Sequence, residues 1–239
     1  MNKRSLRTVV EARQGVLFDL FHTLTSLGNT GAARPRTADI LGVPPDLWFK
    51  QMVDTADDRY VGKVKDPVEI TRRLAWAINP SIPEERIREA TAYRLDRFKG
   101  ALLGVPEVTE RTLVALKAMG KKLGLISNAD VVEASGWDDS PIASLFDSVV
   151  FSCNVGYAKP QREIYDLSLR EIGADPGECL FVGDGGSHEL EGARGAGLTT
   201  IMITGHIRKL FPERIDERRP HADFVIENLD ELIAPPWHR

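Results

Sequence analysis

Six short apolar runs constrain this chain more than any other feature. Gly15 to Phe18, Lys122 to Ile126, Ser148 to Cys153, Cys179 to Gly183, Thr199 to Ile203 and Asp223 to Ile226 are rich in Val, Ile, Leu and Phe. Runs of this length, bounded by turn residues, read as buried strands. Helical patterns lie between them. One carries Leu113, Leu116 and Met119 and ends at Gly120. Another runs from Pro160 to Ile172 before Gly173, a third from Glu189 to Ala196 before Gly197, and a terminal helix follows the last run. Strands alternating with helices predict an α/β fold with a mostly parallel sheet covered on both faces. In such sheets the chemistry collects at the carboxyl ends of the strands.

The stretch between the first two runs has a different rhythm. Thr25 to Thr37 is polar and reads as a loop, and from Asp39 to about Arg97 no strand candidate interrupts the helical spacing. Pro45 to Tyr60 places Leu47, Phe49, Met52, Val53 and Ala56 at near-helical intervals. Asp66-Pro67 is a cap followed by a helix-starting proline, with Ile70, Leu74 and Ala77 expected on one face. A third helix is expected over Pro83 to Phe98. The block is a small helical insert, read either as a bundle that stabilises the core or as a lid over a site.

The strand ends carry polar residues of a particular kind. The first run delivers Asp19, the second Ser127 and Asn128, and the fourth Asp184. Lys159 sits in Gly156-Tyr157-Ala158-Lys159-Pro160, just before a helix. Each has a bland reading alone. Asp19 could cap the following turn, Ser127-Asn128 and Asp184-Gly185-Gly186 could be turns, and Lys159 could be a solvated surface group. As a set they suit displacement by a carboxylate. Asp19 would attack an electrophile and form a covalent intermediate that water later hydrolyses. Lys159 and a Mg²⁺ held by Asp19 and Asp184 would neutralise a phosphoryl group, with Ser127 donating to a phosphate oxygen. Glu189 could orient metal-bound water, or be an acid in the first turn of a helix.

These residues resemble the four signatures of the haloacid dehalogenase superfamily of hydrolases. The matches are Phe18-Asp19-Leu20-Phe21-His22-Thr23-Leu24, Ile126-Ser127-Asn128, Ala158-Lys159-Pro160, and Val182-Gly183-Asp184-Gly185-Gly186-Ser187-His188-Glu189. The resemblance covers about two thirds of the chain. It implies a Rossmann-like three-layer core, residues 1–27 and 103–239, and an all-helical cap, residues 28–102. It also implies Asp19 as nucleophile, Thr23 as its hydrogen-bonding partner, and the backbone carbonyl of Phe21 as a metal ligand beside Asp19, Asp184 and Glu189.

The chain departs from the family's phosphatase pattern at one position. The residue two after the nucleophile is commonly a second Asp that protonates the leaving alcohol; here it is Phe21. Dehalogenases of the superfamily carry an aromatic residue there, because a halide departs without a proton. Asp184 and Glu189 pull toward metal-dependent phosphatase chemistry, since the dehalogenases lack a metal. The expectation is therefore a Mg²⁺-dependent phosphatase of a small phosphorylated metabolite. The alternatives are a carbon–halogen hydrolase or a regulatory relative without turnover. His22 is a candidate replacement proton source.

The remaining composition narrows the partners. A net charge of −4 over 239 residues gives no electrostatic reason to expect nucleic acid or an anionic membrane. The residues before Gln14 contain no signal-peptide core, and no apolar run reaches the ~20 residues of a membrane span. Cys153 and Cys179 lie far apart in apolar runs and read as reduced packing residues, so a soluble, cytoplasmic protein acting on a small, anionic molecule is expected. Gly183-Asp184-Gly185-Gly186 fails the dinucleotide fingerprint, because His188 takes the place of its last glycine. The basic, Pro-bounded piece from His206 to Pro220 reads as a surface excursion without an assigned role.

Overall fold

The six apolar runs become strands β1 (Gly15–Phe18), β2 (Lys122–Ser127), β3 (Ser148–Phe151), β4 (Cys179–Gly183), β5 (Thr199–Ile203) and β6 (Phe224–Ile226). The computed structural model describes residues 5–30 and 36–234. It places the strands in one sheet, in the order β3-β2-β1-β4-β5-β6, with every neighbouring pair parallel. The order reverses between β1 and β4, the switch point at which open α/β sheets form a crevice beyond their strand ends.

The side-chain alternation of the strands builds two cores. Val16 and Phe18 of β1, with Leu180 and Val182 of β4, face one layer, where α1 (Leu6–Ala12) contributes Val9 and Val10. Leu17, Phe181 and Met202 face the other. The connecting helices in chain order are α2 (Thr37–Leu41), α3 (Pro45–Asp54), α4 (Ala56–Tyr60), α5 (Pro67–Ile78), α6 (Glu84–Leu103) and α7 (Glu107–Ala118). Then follow α8 (Val131–Ala134), α9 (Ser152–Val155), α10 (Arg162–Ile172), α11 (Glu189–Gly195), α12 (Ile207–Leu210) and α13 (Ile215–Arg218). Leu113 and Leu116 of α7 join the first core; Ile164, Tyr165 and Leu169 of α10, with Leu190 of α11, fill the second. The result is helix, sheet, helix: the expected three-layer α/β architecture.

Several local expectations are corrected. The third strand stops at Phe151, because Ser152 and Cys153 turn into α9, which ends at Gly156 in the left-handed region. The helix expected from Pro160 begins at Arg162. The terminal helix is a single 3-10 turn, Leu229–Leu232. The stretch expected as loop contains a 3-10 turn, Leu27–Thr30, and α2 starts at its last residue; residues 31–35 of that stretch lie outside the described residues.

Helices α2 to α6 form the insert between β1 and β2, with no strand among its described residues. Asp66 accepts from the Glu69 N–H at 2.7 Å, capping α5 one residue before Pro67. The buried face of α5 is Ile70, Thr71, Leu74 and Ala75, whereas Ala77 points to solvent. α6 runs five residues past its expected end and lays Phe98, Ala101 and Leu102 inward. α3 buries none of its residues, and Phe49 and Val53 remain 64% and 56% exposed. Among the described residues no helix is long and apolar enough to cross a membrane.

Candidate active site

Register brings the strand ends together. Phe18 pairs with Leu125 on one side and Val182 on the other, so the residues that follow β1, β2 and β4 emerge side by side. The Asp19 N–H donates to the Val182 carbonyl at 2.9 Å, which fixes the acid one step beyond the sheet. Asp19, Ser127, Asn128, Lys159, Asp184 and Glu189 all line one pocket of about 450 Å³.

Lys159 is the hub of this pocket. Its ammonium donates to Asp19 Oδ1 and to Glu189 Oε2, both at 2.5 Å, and its side chain is 2% exposed. Asn128 holds the lysine's backbone on both sides: its Nδ2 donates to the Lys159 carbonyl at 2.9 Å, and its Oδ1 accepts from the Lys159 N–H at 2.7 Å. Asn128 is thus a clamp between the β2 end and the lysine loop. The Thr23 hydroxyl donates to Asp19 Oδ2 at 3.0 Å, so both nucleophile-candidate oxygens are oriented.

Carboxylate oxygens of Asp19, Asp184 and Glu189 lie within 4.8 Å of one another. All three groups are buried, and their mutual repulsion is offset in part by Lys159, which pairs with Asp19 and Glu189, and by Arg218, which pairs with Asp184. Burial first, then the Asp19 charge, pushes the Glu189 carboxyl up to about 8, against the pull of Lys159. Burial opposes the Lys159 charge too, but Asp19 and Glu189 outweigh it and hold its pKa above the ordinary value. Hard, closely spaced oxygen donors are the set that Mg²⁺ prefers, so the residues present fit that ion. Gly183 makes the packing possible, because a Cβ there would collide with the Glu189 carboxylate. Gly185, at φ +87°, then turns the chain so that its N–H donates to Glu189 Oε1 at 2.9 Å.

Phe21 and His22 line the same pocket as Asp19, each packed against an aromatic ring. The Phe21 ring meets Phe98 of α6 edge-on, at 5.5 Å between centroids, and thereby joins the strand-end loop to the insert. His22, at φ +68°, lies edge-on to Phe211 at 6.2 Å, with Nδ1 3.4 Å from the Ser26 hydroxyl.

Two functional neighbours escaped sequence reasoning. The segment His206 to Pro220, expected to be a surface excursion, carries Arg218 to Asp184. The guanidinium donates to Asp184 Oδ2 at 3.0 Å and to its carbonyl at 3.1 Å. The only sequence signal was the local excess of basic residues. Glu133, on the pocket wall, is the second. Its Oε2 accepts from the Asp130 N–H at 2.9 Å, while Asp130 Oδ1 accepts from the N–H groups of Val132 and Glu133. This reciprocal cap was legible as an Asp-x-x-Glu pattern at a helix start. Burial, then the Asp130 charge, pushes the Glu133 carboxyl up to about 7 against the pull of Arg59 and Arg94.

Comparison with known proteins gives this geometry a lineage. A family model for haloacid dehalogenase-like hydrolases matches residues 14–197. The glyceraldehyde 3-phosphate phosphatase of Methanothermobacter thermautotrophicus is 31% identical over 137 residues, 56% of this chain and 59% of that protein. The match thus spans about three fifths of that relative's length. The phosphoglycolate phosphatase of Shigella boydii is 26% identical over 249 residues, covering 92% of this chain and 91% of that protein. Among solved structures, the L-2-haloacid dehalogenase of Xanthobacter autotrophicus superposes with a TM-score of 0.62 at 16% identity, over 92% of this chain and 96% of that one. A HAD phosphatase from Thermococcus onnurineus gives 0.61 at 22% identity, over 92% and 95%. These structural likenesses show the fold.

Proposed function

We propose that this chain, which belongs to the haloacid dehalogenase-like hydrolases, is a Mg²⁺-dependent phosphatase of a small phosphorylated molecule. The observation that carries the reading is the buried cluster of Asp19, Asp184 and Glu189 gathered around Lys159. A carbon–halogen hydrolase needs no such concentration of acid, and the phosphatase names of its curated relatives agree.

Asp19 attacks phosphorus through an oxygen held by Thr23 or Lys159, giving an aspartyl phosphate that water hydrolyses. Lys159 neutralises charge on the phosphoryl oxygens, and Ser127 donates to one of them. Asp19, Asp184 and the Phe21 carbonyl would hold Mg²⁺, with Glu189 behind them; bound there, the ion supplies further charge neutralisation. Phe21 cannot protonate the leaving alcohol; two pocket carboxyls are pushed toward neutrality, Glu133 to about 7 and Glu189 to about 8, and the pairing of Glu189 with Lys159 leaves Glu133 as the candidate acid. Helices α2 to α6 act as a cap, since Phe49, Met52, Tyr60 and Phe98 close one side of the pocket.

The test is release of phosphate from p-nitrophenyl phosphate with Mg²⁺ and with EDTA. Turnover that needs the metal and vanishes in Asp19→Asn supports the reading. Metal-independent halide release from a haloacid, without phosphate release, overturns it.

A further inference from the structure

A second cavity opens off the catalytic pocket. Its volume is about 650 Å³, within the range of small-molecule sites, and it shares His22, Met52, Tyr60, Phe98 and Phe211 with the pocket that holds Asp19. Beyond the shared residues the walls combine apolar Trp48 and Val53 of α3, Ala56 of α4 and Leu210 of α12 with the hydroxyl residues Ser26 and Thr37. Two cations stand in this setting, Arg94 and Arg97 of α6.

Arg94 is the informative one. The residue is 3% exposed, yet its Nη1 is buried with no hydrogen-bond partner. The guanidinium lies over the Trp48 ring at 5.9 Å. Among the described residues its carboxylate hydrogen bond is long, Nη2 to Asp130 Oδ2 at 3.5 Å, and Arg59 already takes that oxygen at 2.5 Å. Leaving a charged donor buried and unsatisfied is costly, and an acceptor delivered by a ligand removes that cost. The stacking on Trp48 and the pairing with Asp130 hold the group in place while it waits.

We infer that the chamber binds the non-phosphate end of the substrate, an apolar and preferably aromatic body bearing a carboxylate that Arg94 Nη1 receives. The catalytic pocket then takes the phosphate while the chamber takes the rest, so the substrate is a phosphate ester of an apolar hydroxy acid. The phosphate end of this statement rests on the phosphatase reading; the chamber's preference for an apolar carboxylate does not. A carboxylate fits better than a neutral acceptor because Arg97 adds a second positive charge to the same wall. The aromatic preference follows from the ring-lined walls, where edge and face contacts add to simple burial.

The experiment is calorimetric and needs no turnover. Phenylpropionate, phenylpropanol and propionate are titrated into the full-length protein. Phenylpropionate is expected to bind at least ~10-fold tighter than either fragment, since a hydrogen bond to a charged group and a buried ring each contribute on that scale. Arg94→Gln is expected to weaken phenylpropionate by ~10–100-fold and to leave phenylpropanol unchanged. Because Arg94 is buried, Val53→Glu serves as the second variant. Val53 is more than half exposed on the chamber wall, and a carboxylate there repels the probe while Val53→Lys retains it. Equal binding of acid and alcohol, or indifference to both Arg94→Gln and Val53→Glu, overturns the inference. The same preparations are assayed with p-nitrophenyl phosphate. Probe binding without turnover refutes the phosphatase reading alone, and turnover without probe binding refutes the chamber alone.

Discussion

Replacing Glu133 with Gln asks where the leaving group's proton comes from. The change keeps the side chain's volume and an oxygen to accept from the Asp130 N–H, and Gln serves in this capping box as well as Glu. What it removes is the titratable proton. With the carboxyl pushed up to about 7, both protonation states are populated near neutral pH, as an acid that gives and then regains a proton requires. A positioned acid is worth ~10²–10⁴-fold in rate, or ~3–5 kcal/mol of barrier. That loss should fall on phenylpropyl phosphate, whose alkoxide leaves poorly. It should spare p-nitrophenyl phosphate, whose phenolate leaves without help. The assay is kcat/KM for both esters across pH. The native enzyme's alkyl-ester rate should fall as pH rises through 7, and that limb should vanish in Glu133→Gln. Stability provides a control. A carboxyl raised from 4.5 to about 7 binds more protons in the folded state than in the unfolded state between those values. Its contribution is therefore present below pH 4.5 and lost as pH rises to 7, on the order of 3 kcal/mol. Thermal unfolding of Glu133→Gln should lose this share of the pH dependence, while the raised Glu189 carboxyl keeps its own. Equal losses on both esters, or none on either, would refute the assignment of the proton to Glu133.

Four further changes probe the rest of the site. Lys159→Met leaves Asp19 and Glu189 facing each other without their cation, and should cut kcat on p-nitrophenyl phosphate by at least ~10²-fold; retained turnover would mean the lysine only fills space. Arg218→Ala removes a positive charge 3.0 Å from Asp184 Oδ2, and Mg²⁺ titrated by calorimetry should bind on the order of 10-fold tighter. Gly183→Ala drives a methyl into the Glu189 carboxylate and should cost ~1–3 kcal/mol in a denaturant titration. Phe21→Asp gives up the edge contact with Phe98 but places an acid beside the nucleophile, so it should add little to the native protein and restore phenylpropyl phosphate turnover to Glu133→Gln. A large rise in the native background would mean that Glu133 does not already fill the role.

The signature residues were legible because each marks the end of a locally patterned element. A strand announces itself through its own apolar neighbours, and Asp19, Ser127 and Asp184 are the residues at which those runs stop. Lys159 was legible through the helix that follows it. Asn128 was visible as a strand-end residue, but its grip on both backbone groups of Lys159 was not, since those partners are 31 residues apart. The helix start expected at Pro160 and the strand end expected at Cys153, each displaced by two residues, reflect capping geometry that composition describes only coarsely.

The sequence by itself determined the parallel α/β core, the helical insert, and which acids and which lysine could meet at one sheet edge. These follow from periodicity and from where apolar runs end, both of which are local properties of the chain. Only the tertiary structure decided that Arg218, 34 residues from Asp184, comes back to bind it. Only packing left Arg94 buried with an unpaired donor and made Glu133 titrate near neutrality. Those properties depend on which distant groups exclude water from each side chain and which charges they bring with them. No local pattern of residues encodes that.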